Sequence, residues 1–489
     1  SKWRPLFLCA MTSGWFWLKL DILEFIFRVF GEGLLVSYIP INGFLKNANA
    51  AFEAGAFHDA AIYYQAALEL DPDNIDVCAQ LGIALARGNE FERAQEFLIK
   101  ALDSRPNNAI FLNVLAFTYG QTGNFQEAEV CYRKLLRFGG GDDLTLSNLG
   151  SSLNEMGRFD EAERMFRTSL RRQPDHAVSR YNLGLLELLK GNLEQGWQGF
   201  ELRNFAKGIA EKKFPDAVRW QGEPVDGRIV LLYAEQGLGD TIQFARYAIL
   251  LAARGAHVVI QCDAALADLM MTIDGVSQAG ELTEVLGGIY FYISLLSLPL
   301  LFDTSVTSIP DKCPYLTCSP DIPDAALLID KSRDTKLRVG LVWAGNPKHQ
   351  SDRTRSMKLK MFEPVLSRAE IDVYSLQVGD SAAEIDLLKE SVRPSIMFQE
   401  KRPLNEVASV MKHLDLVISV DTSLSHLAGA LGVQVWTLIS FYPDWRWMLE
   451  RTDSPWYPSM RLFRQPVIGD WNAVIQEVGD ALDELILIP

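Results

Sequence analysis

The chain has 489 residues, enough for two or three domains, and 48% of them are apolar, so composition does not limit core formation. With 47 Lys and Arg against 62 Asp and Glu, the net charge is −15, which argues against a general nucleic-acid binder. Within this acidic chain, residues 330–360 hold nine basic residues against three aspartates, a net of +6, which suits a small anionic ligand better than a polyanion. The six cysteines (Cys9, Cys78, Cys131, Cys262, Cys313 and Cys318) form no CxxC pair and have no histidine cluster beside them. They read as reduced thiols of a cytoplasmic protein rather than as a metal site.

Residues 6–41 are very apolar, yet Lys19, Asp21, Glu24, Arg28 and Glu32 interrupt them every few positions. A transmembrane helix needs about 20 mostly uncharged residues, so no span is expected here. A secretory signal is not expected either, because no small-residue cleavage site follows a clean apolar core. The segment 1–40 reads as an amphipathic helix capping the residues after it, with peripheral membrane contact open.

From residue 41 the chain repeats with a period of 34. Phe57, Phe91, Phe125, Phe159 and Leu193 keep this step, as do Ala60, Ala94, Ala128, Ala162 and Gly196, and Tyr64, Leu98, Tyr132, Phe166 and Phe200. Pro72, Pro106 and Pro174 close units, and Gly140 takes that place in the third. Small residues where helices touch, an aromatic in the gap and a closing proline form the tetratricopeptide pattern. Five helix pairs over 41–206 are therefore predicted, as a helical solenoid. Gln80, Asn148 and Asn182 share one position of their first helices, while Lys46 and Val114 interrupt the series. This position can line a groove for a peptide or protein; a solvated polar face and self-association are the other readings. Trp197 and Phe200, at the end of the array, are expected to dock the repeats on the next domain.

After Gly227 the pattern turns to alternating strand and helix. Apolar strands are predicted at 228–234, 257–262, 337–345, 371–377, 414–420 and 433–439, with a helix at 241–255, so two successive α/β halves, 207–330 and 331–489, each carry a parallel sheet. In such sheets a ligand sits beyond the carboxyl ends of the strands. Three polar motifs lie there. In EQGLGDT (235–241), Gly237 and Gly239 allow a tight turn and Asp240 opens a helix, as a cap or as a working acid. In WAGNPKHQSDRTRS (343–356), Asn346, Lys348, His349, Arg353, Arg355 and Ser356 suit a diphosphate, unless they form a solvated loop. In SVDTSLSHLAGALG (419–432), Asp421, Thr422, Ser423, Ser425 and His426 open a helix whose free amides can bind phosphate, or merely cap it.

These three motifs and the tail DWRWMLERTDSPWYPSMRLFRQ (444–465) resemble bacterial tetratricopeptide-repeat proteins with a heptosyltransferase-like, family 9 glycosyltransferase domain. The layout is also similar to that of O-linked N-acetylglucosamine transferases, in which asparagines at the Asn148 and Asn182 position hold a substrate backbone. The resemblance implies a GT-B pair of Rossmann-like halves with no metal requirement. It places the acceptor on the 207–330 half and a nucleotide sugar, as co-substrate without other cofactor, on the 331–489 half. It makes Asp240 the general base of an inverting transfer. Asn346, Lys348, Arg353, Arg355, Ser356, Gln377, Asp421, Thr422, Ser423 and His426 become the donor-binding set. The diphosphate lysine of the family is open between Lys348, Lys358 and an arginine at 353 or 355. One departure stands out: residues 287–299 place an aromatic run before SLLSLP, where polar residues facing the cleft are expected. The rival readings are an inactive transferase-like scaffold whose repeats bind protein, and a two-half nucleotide-sugar epimerase. Trp445, Trp447, Trp456, Tyr457 and Trp471 are expected mostly in the core.

Overall fold

The computed structural model describes residues 40–214, 216–281, 288–318, 329, 336–349 and 351–487. The capping helix expected in 1–40 lies outside these, apart from residue 40. The chain divides into two compact units, Ser1–Leu153 and Asn154–Pro489.

The first unit contains helices α1 (Ile41–Glu53), α2 (Phe57–Leu70), α3 (Ile75–Arg87), α4 (Phe91–Ser104), α5 (Ala109–Thr122) and α6 (Phe125–Arg137) and most of α7 (Asp143–Glu155). The Asn74 and Asn108 side chains cap α3 and α5 by accepting from Val77 N and Phe111 N at 3.2 and 3.1 Å. Helices α2 and α4 stop two residues before Pro72 and Pro106, which disfavour helical geometry in the residue preceding them. The periodic alanines Ala60, Ala94 and Ala128 are fully buried where helices cross, and Tyr64, Leu98 and Tyr132 fill the adjoining gap. This burial is why the 34-residue period is readable.

The second unit continues the repeats with α8 (Phe159–Arg172), α9 (Ala177–Leu189), α10 (Leu193–Phe200) and the short α11 (Arg203–Ala206). A Cβ on Gly184 would lie 2.7 Å from the Gly199 Cα, so α9 and α10 meet backbone to backbone. Two all-parallel sheets come next. The first has order β1-β5-β2-β3-β4, built from β1 (Val218–Arg219), β2 (Ile229–Tyr233), β3 (His257–Gln261), β4 (Val276–Gly280) and β5 (Ile289–Ser294). The second has order β11-β10-β9-β6-β7-β8, from β6 (Leu337–Val342), β7 (Ile371–Ser375), β8 (Ser395–Ile396), β9 (Leu416–Val420), β10 (Val435–Ile439) and β11 (Met460–Arg464). The helices that matter for the site are α12 (Leu238–Ala245), α13 (Tyr247–Ala252), α14 (Leu404–Met411), α15 (Ser423–Ala430) and α16 (Trp471–Ile486).

The helix predicted at 241–255 begins earlier, at Leu238, and breaks at Arg246, whose side chain is drawn into the core. The aromatic run at 287–299 has a plain cause. Its residues Ile289–Ser294 form β5, paired with β1 on one side and β2 on the other, so Phe291, Tyr292 and Ile293 are buried in the sheet rather than turned to a cleft.

One aromatic joint ties the last repeat to both sheets. The Trp197 ring lies 5.2 Å from Trp445 and 6.4 Å from Trp456, and Phe244 of α12 lies 5.9 Å from Trp456. The Trp197 indole donates to Thr304 O at 2.8 Å, in keeping with the docking role expected for that residue. Beside it, the buried Arg246 donates to Trp456 O (2.6 Å), Pro310 O (3.0 Å) and Tyr315 Oη (3.1 Å), with its guanidinium 4.7 Å from the Tyr457 ring centre. Arg203 of α11 adds a polar link, pairing with Glu201 and Glu235 and donating to Ser297 Oγ at 2.9 Å.

Trp197→Ala should lower the stability of the second unit by about 3–5 kcal/mol, since it opens a cavity and leaves Thr304 O unpaired. Trp197→Phe should lose less. Urea unfolding followed by far-UV circular dichroism checks this; equal midpoints for all three proteins would contradict the joint.

Candidate functional site

Asp240 sits in the first turn of α12, directly after the Gly-rich turn that ends β2. Its Oδ2 accepts from Gly237 N at 2.9 Å, so it does cap the helix; its Oδ1 pairs with Arg446. Gly239 serves close packing: a Cβ there would stand 2.9 Å from His426 Cδ2, so α12 and α15 touch at this point. Glu235, five residues earlier, is a positioning group. It accepts from Arg203, Ser294 and Asn204, and although burial opposes ionisation, Arg203 and these hydrogen bonds hold its carboxyl below the usual range.

Arg446 lies in the turn Trp445–Trp447 beyond β10 and is buried. It pairs with Asp240 and with Asp444 (2.9 Å), donates from Nε to Gln243 Oε1 at 2.6 Å, and rests 4.5 Å from the Trp445 ring centre. The turn ends at Met448, a buried non-glycine residue with φ of 52°. Such a conformation costs on the order of 1–3 kcal/mol, and its surroundings hold it in place.

Asp421 follows β9 and is half-buried; desolvation first, then the neighbouring Asp444, pushes its carboxyl pKa upward, while Arg355 and Arg446 pull it back. Thr422 caps α15, its Oγ1 accepting from Leu424 N at 3.3 Å, and the Ser425 hydroxyl donates to Thr422 O at 2.8 Å. Ser423 starts the helix. His426 is buried, stacked 5.1 Å from Trp447, with its Nδ1 2.9 Å from Tyr457 Oη. Burial, then Arg446, Arg246 and Arg355, lower its pKa well below the ordinary value, so it is neutral.

In the 343–356 loop, Gln377 Oε1 accepts from Trp343 N (3.1 Å) and Ala344 N (2.9 Å), pinning the end of β6. Ser356 Oγ accepts from Gly345 N at 2.9 Å and donates to Asp352 at 2.8 Å, so both side chains shape the loop. Asn346 Oδ1 accepts from Lys348 N at 3.1 Å. Arg355 lies 3.7 Å from Asp352 and electrostatically feels Asp421. His349 has its pKa lowered, by burial and then Arg355, with Asp444 and Asp240 opposing. Asp240, Asp421 and Arg355 thus share one electrostatic neighbourhood centred on Arg446.

Sequence reasoning did not single out Arg446, Asp444, Tyr181 or Lys207. Tyr181 of α9 and Lys207, just after α11, bring the last repeat to the site, with the Lys207 ammonium 5.7 Å from the Tyr181 ring centre. Desolvation lowers the Lys207 pKa, and both residues feel Asp240 and Asp444. The advance signal for two of them was the tail motif 444–465, which opens on Asp444 and sets Arg446 between two tryptophans. Of the groove residues, Gln80 on α3 is exposed and Asn148 on α7 half-buried, both in the first unit, while Asn182 on α9 is half-buried in the second. Among the described residues, no group of three or more His, Cys, Asp or Glu side chains is arranged to hold a metal ion. None of the described helices is long and apolar enough to cross a membrane.

Glu155, at the end of α7, faces the same basic loop: burial pushes its carboxyl up to about 7, eased by Arg353. A folded-state pKa above the ordinary 4.5 means the folded form holds the proton more tightly, so stability falls as pH rises from about 4.5 to 7. Glu155→Gln should therefore raise the melting temperature at pH 8, by the equivalent of roughly 1–3 kcal/mol, with no gain at pH 4. A pH-independent difference in thermal melts would contradict this.

Comparison with known proteins accords with these elements. Tetratricopeptide-repeat profiles match residues 51–116, 109–138 and 148–196. The glycosyltransferase family 9 (heptosyltransferase) profile matches residues 376–447, which contain Gln377, Asp421–His426 and Arg446. The protein FlbA of Caulobacter vibrioides is 28% identical over 340 residues, covering 63% of this chain and 55% of its own length, so this chain spans about half of that relative. Among solved structures, MamA from Desulfovibrio magneticus RS-1 matches 35% of this chain and 97% of its own, at 14% identity and a TM-score of 0.32. A tetratricopeptide repeat protein from Parabacteroides merdae matches 34% of this chain and 67% of its own, at 19% identity and a TM-score of 0.31. This chain joins tetratricopeptide repeats to a parallel-sheet α/β region bearing the glycosyltransferase family 9 (heptosyltransferase) signature.

Proposed function

We propose that the chain is a glycosyltransferase that moves a sugar, with inversion, from a nucleotide donor to a glycan or protein acceptor. The observation that carries this reading is the position of Asp240, at the carboxyl end of one parallel sheet and bridged by Arg446 to the strand-end loops of the other. Asp240 takes the proton of the acceptor hydroxyl as its oxygen attacks the anomeric carbon. The departing diphosphate then gains one further negative charge as its bond to the anomeric carbon breaks. Lys348, Arg353, Arg355 and the positive end of the α15 dipole are the groups able to meet it. The neutral His426 adds a hydrogen-bonding ring rather than a charge. A cavity of about 740 Å³ between β8 and the start of α14, lined by Met397, Phe398, Arg402 and Glu406 among others, is large enough for a nucleoside. The repeats recruit the acceptor or a partner protein. On α5, the exposed Ile110 and Phe117 offer an apolar contact beside the position of Val114.

A second reading is a binding scaffold without turnover. It is favoured by the engagement of both Asp240 oxygens, one by Gly237 N and one by Arg446.

A thermal-shift panel of ADP-, UDP-, GDP- and dTDP-linked sugars separates the two when paired with assays of nucleotide release. Under the transferase reading, one donor class stabilises both wild type and Asp240→Ala, and Asp240→Ala loses about 10²–10⁴-fold in release rate. Equal, negligible release from both proteins with a stabilising donor supports the scaffold. No stabilisation by any donor in the folded protein overturns the nucleotide-sugar reading.

A further inference from the structure

Arg446 is the most heavily shared group of the site. Its Nη2 serves Asp240, its Nη1 serves Asp444 at 2.9 Å, and its Nε serves Gln243 at 2.6 Å. Trp445 supports its face at 4.5 Å. Three carboxylates, Asp240, Asp421 and Asp444, stand in this neighbourhood against the cations Arg446, Arg355 and Lys207. A ligand carrying two further negative charges cannot enter such a field unless a cation is turned toward it.

Unsatisfied donors lie in the same place. Gln243 is fully buried, and among the described residues its Nε2 finds no acceptor, although its Oε1 is bound by Arg446. The Arg355 Nε is likewise buried without a hydrogen-bond acceptor. Buried donors around a shared arginine fit an acceptor-rich anion.

We propose that Arg446 is a ligand of the donor's diphosphate, taken over by the diphosphate from the Asp240 and Asp444 carboxylates. This rests on the nucleotide-sugar reading of the site. The exchange leaves neither carboxylate stranded. Asp240 keeps the Gly237 N–H at 2.9 Å and has the Lys207 ammonium in its field. Asp444 keeps its bond from Arg446 N at 3.0 Å, and its side chain is 38% exposed, so water can replace the guanidinium. The transfer also gives donor binding a consequence for chemistry, because the Asp240 oxygen bound by Arg446 becomes open to an acceptor hydroxyl only after the diphosphate has arrived.

The test is calorimetric titration of the full chain with ADP, UDP, GDP and inorganic pyrophosphate, using wild type, Asp444→Asn, Asp240→Asn, Arg446→Lys and Arg446→Ala. Removing a competing carboxylate should tighten diphosphate binding, by roughly five- to tenfold for Asp444→Asn and Asp240→Asn. Arg446→Ala should weaken it by about tenfold or more, with Arg446→Lys between. A variant that merely disturbs packing weakens binding, so tighter binding by the two asparagine variants cannot arise from structural damage. Binding to all variants as to wild type, or weaker binding by both asparagine variants, overturns the exchange while leaving the nucleotide reading intact. Absence of binding to folded wild type by all four ligands overturns both.

Discussion

The second unit depends on the packing of Trp197 against Trp445 and Trp456. Those three indoles come from the last repeat and from the segment after β10, and Phe244 of α12 closes the group from the other sheet. Large aromatic surfaces buried together supply most of the apolar free energy available at such a joint. Their shape also fixes where the polar groups between them can lie. Arg246 and Arg446, the two arginines whose guanidiniums lie against these rings, then connect the sheets by hydrogen bonds to Trp456 O and to Asp240. A site placed this way is held by core packing rather than by loop geometry, and the repeats are part of its wall through Tyr181 and Lys207.

Their partners separate the roles of residues that look alike in the sequence. Asp240 and Asp421 both follow a strand and both open a helix. Both are half-buried, but Asp240 binds a backbone amide and Arg446, whereas Asp421 stands beside Asp444, which together with desolvation raises its carboxyl pKa. Environments that differ in this way are how one fold assigns different tasks to identical groups. Gln377 and Ser356, both expected to touch a donor, spend their polar atoms on the backbone of the loop that begins at Trp343. That use does not remove them from the donor's vicinity, but it makes them supports for the shape of the loop.

The repeats were legible because each unit buries the same small and aromatic residues, so the 34-residue period survives in the chain. The central strands were legible for the same kind of reason, since a parallel strand covered on both faces is an unbroken apolar run. β5 escaped because its aromatic alternation was read against an expected polar stretch. Asp240, Asp421 and the 343–356 loop could be placed because strand ends are visible in sequence. Arg446 and Asp444 lay within the tail motif 444–465, but their place in the site could not be read, because Arg446 reaches it by a contact with Asp240, 206 positions away, and Asp444 by its pair with Arg446. Lys207 was missed for a similar reason: it belongs to the tail of the repeats and reaches the site only through the Trp197 joint.

The most direct test of the account is a crystal structure of the full chain soaked with a nucleoside diphosphate. The diphosphate is expected between the 343–356 loop and the start of α15, on the side facing Asp240. A diphosphate bound away from both elements, or a fully occupied nucleotide whose phosphates point away from Asp240, would contradict it.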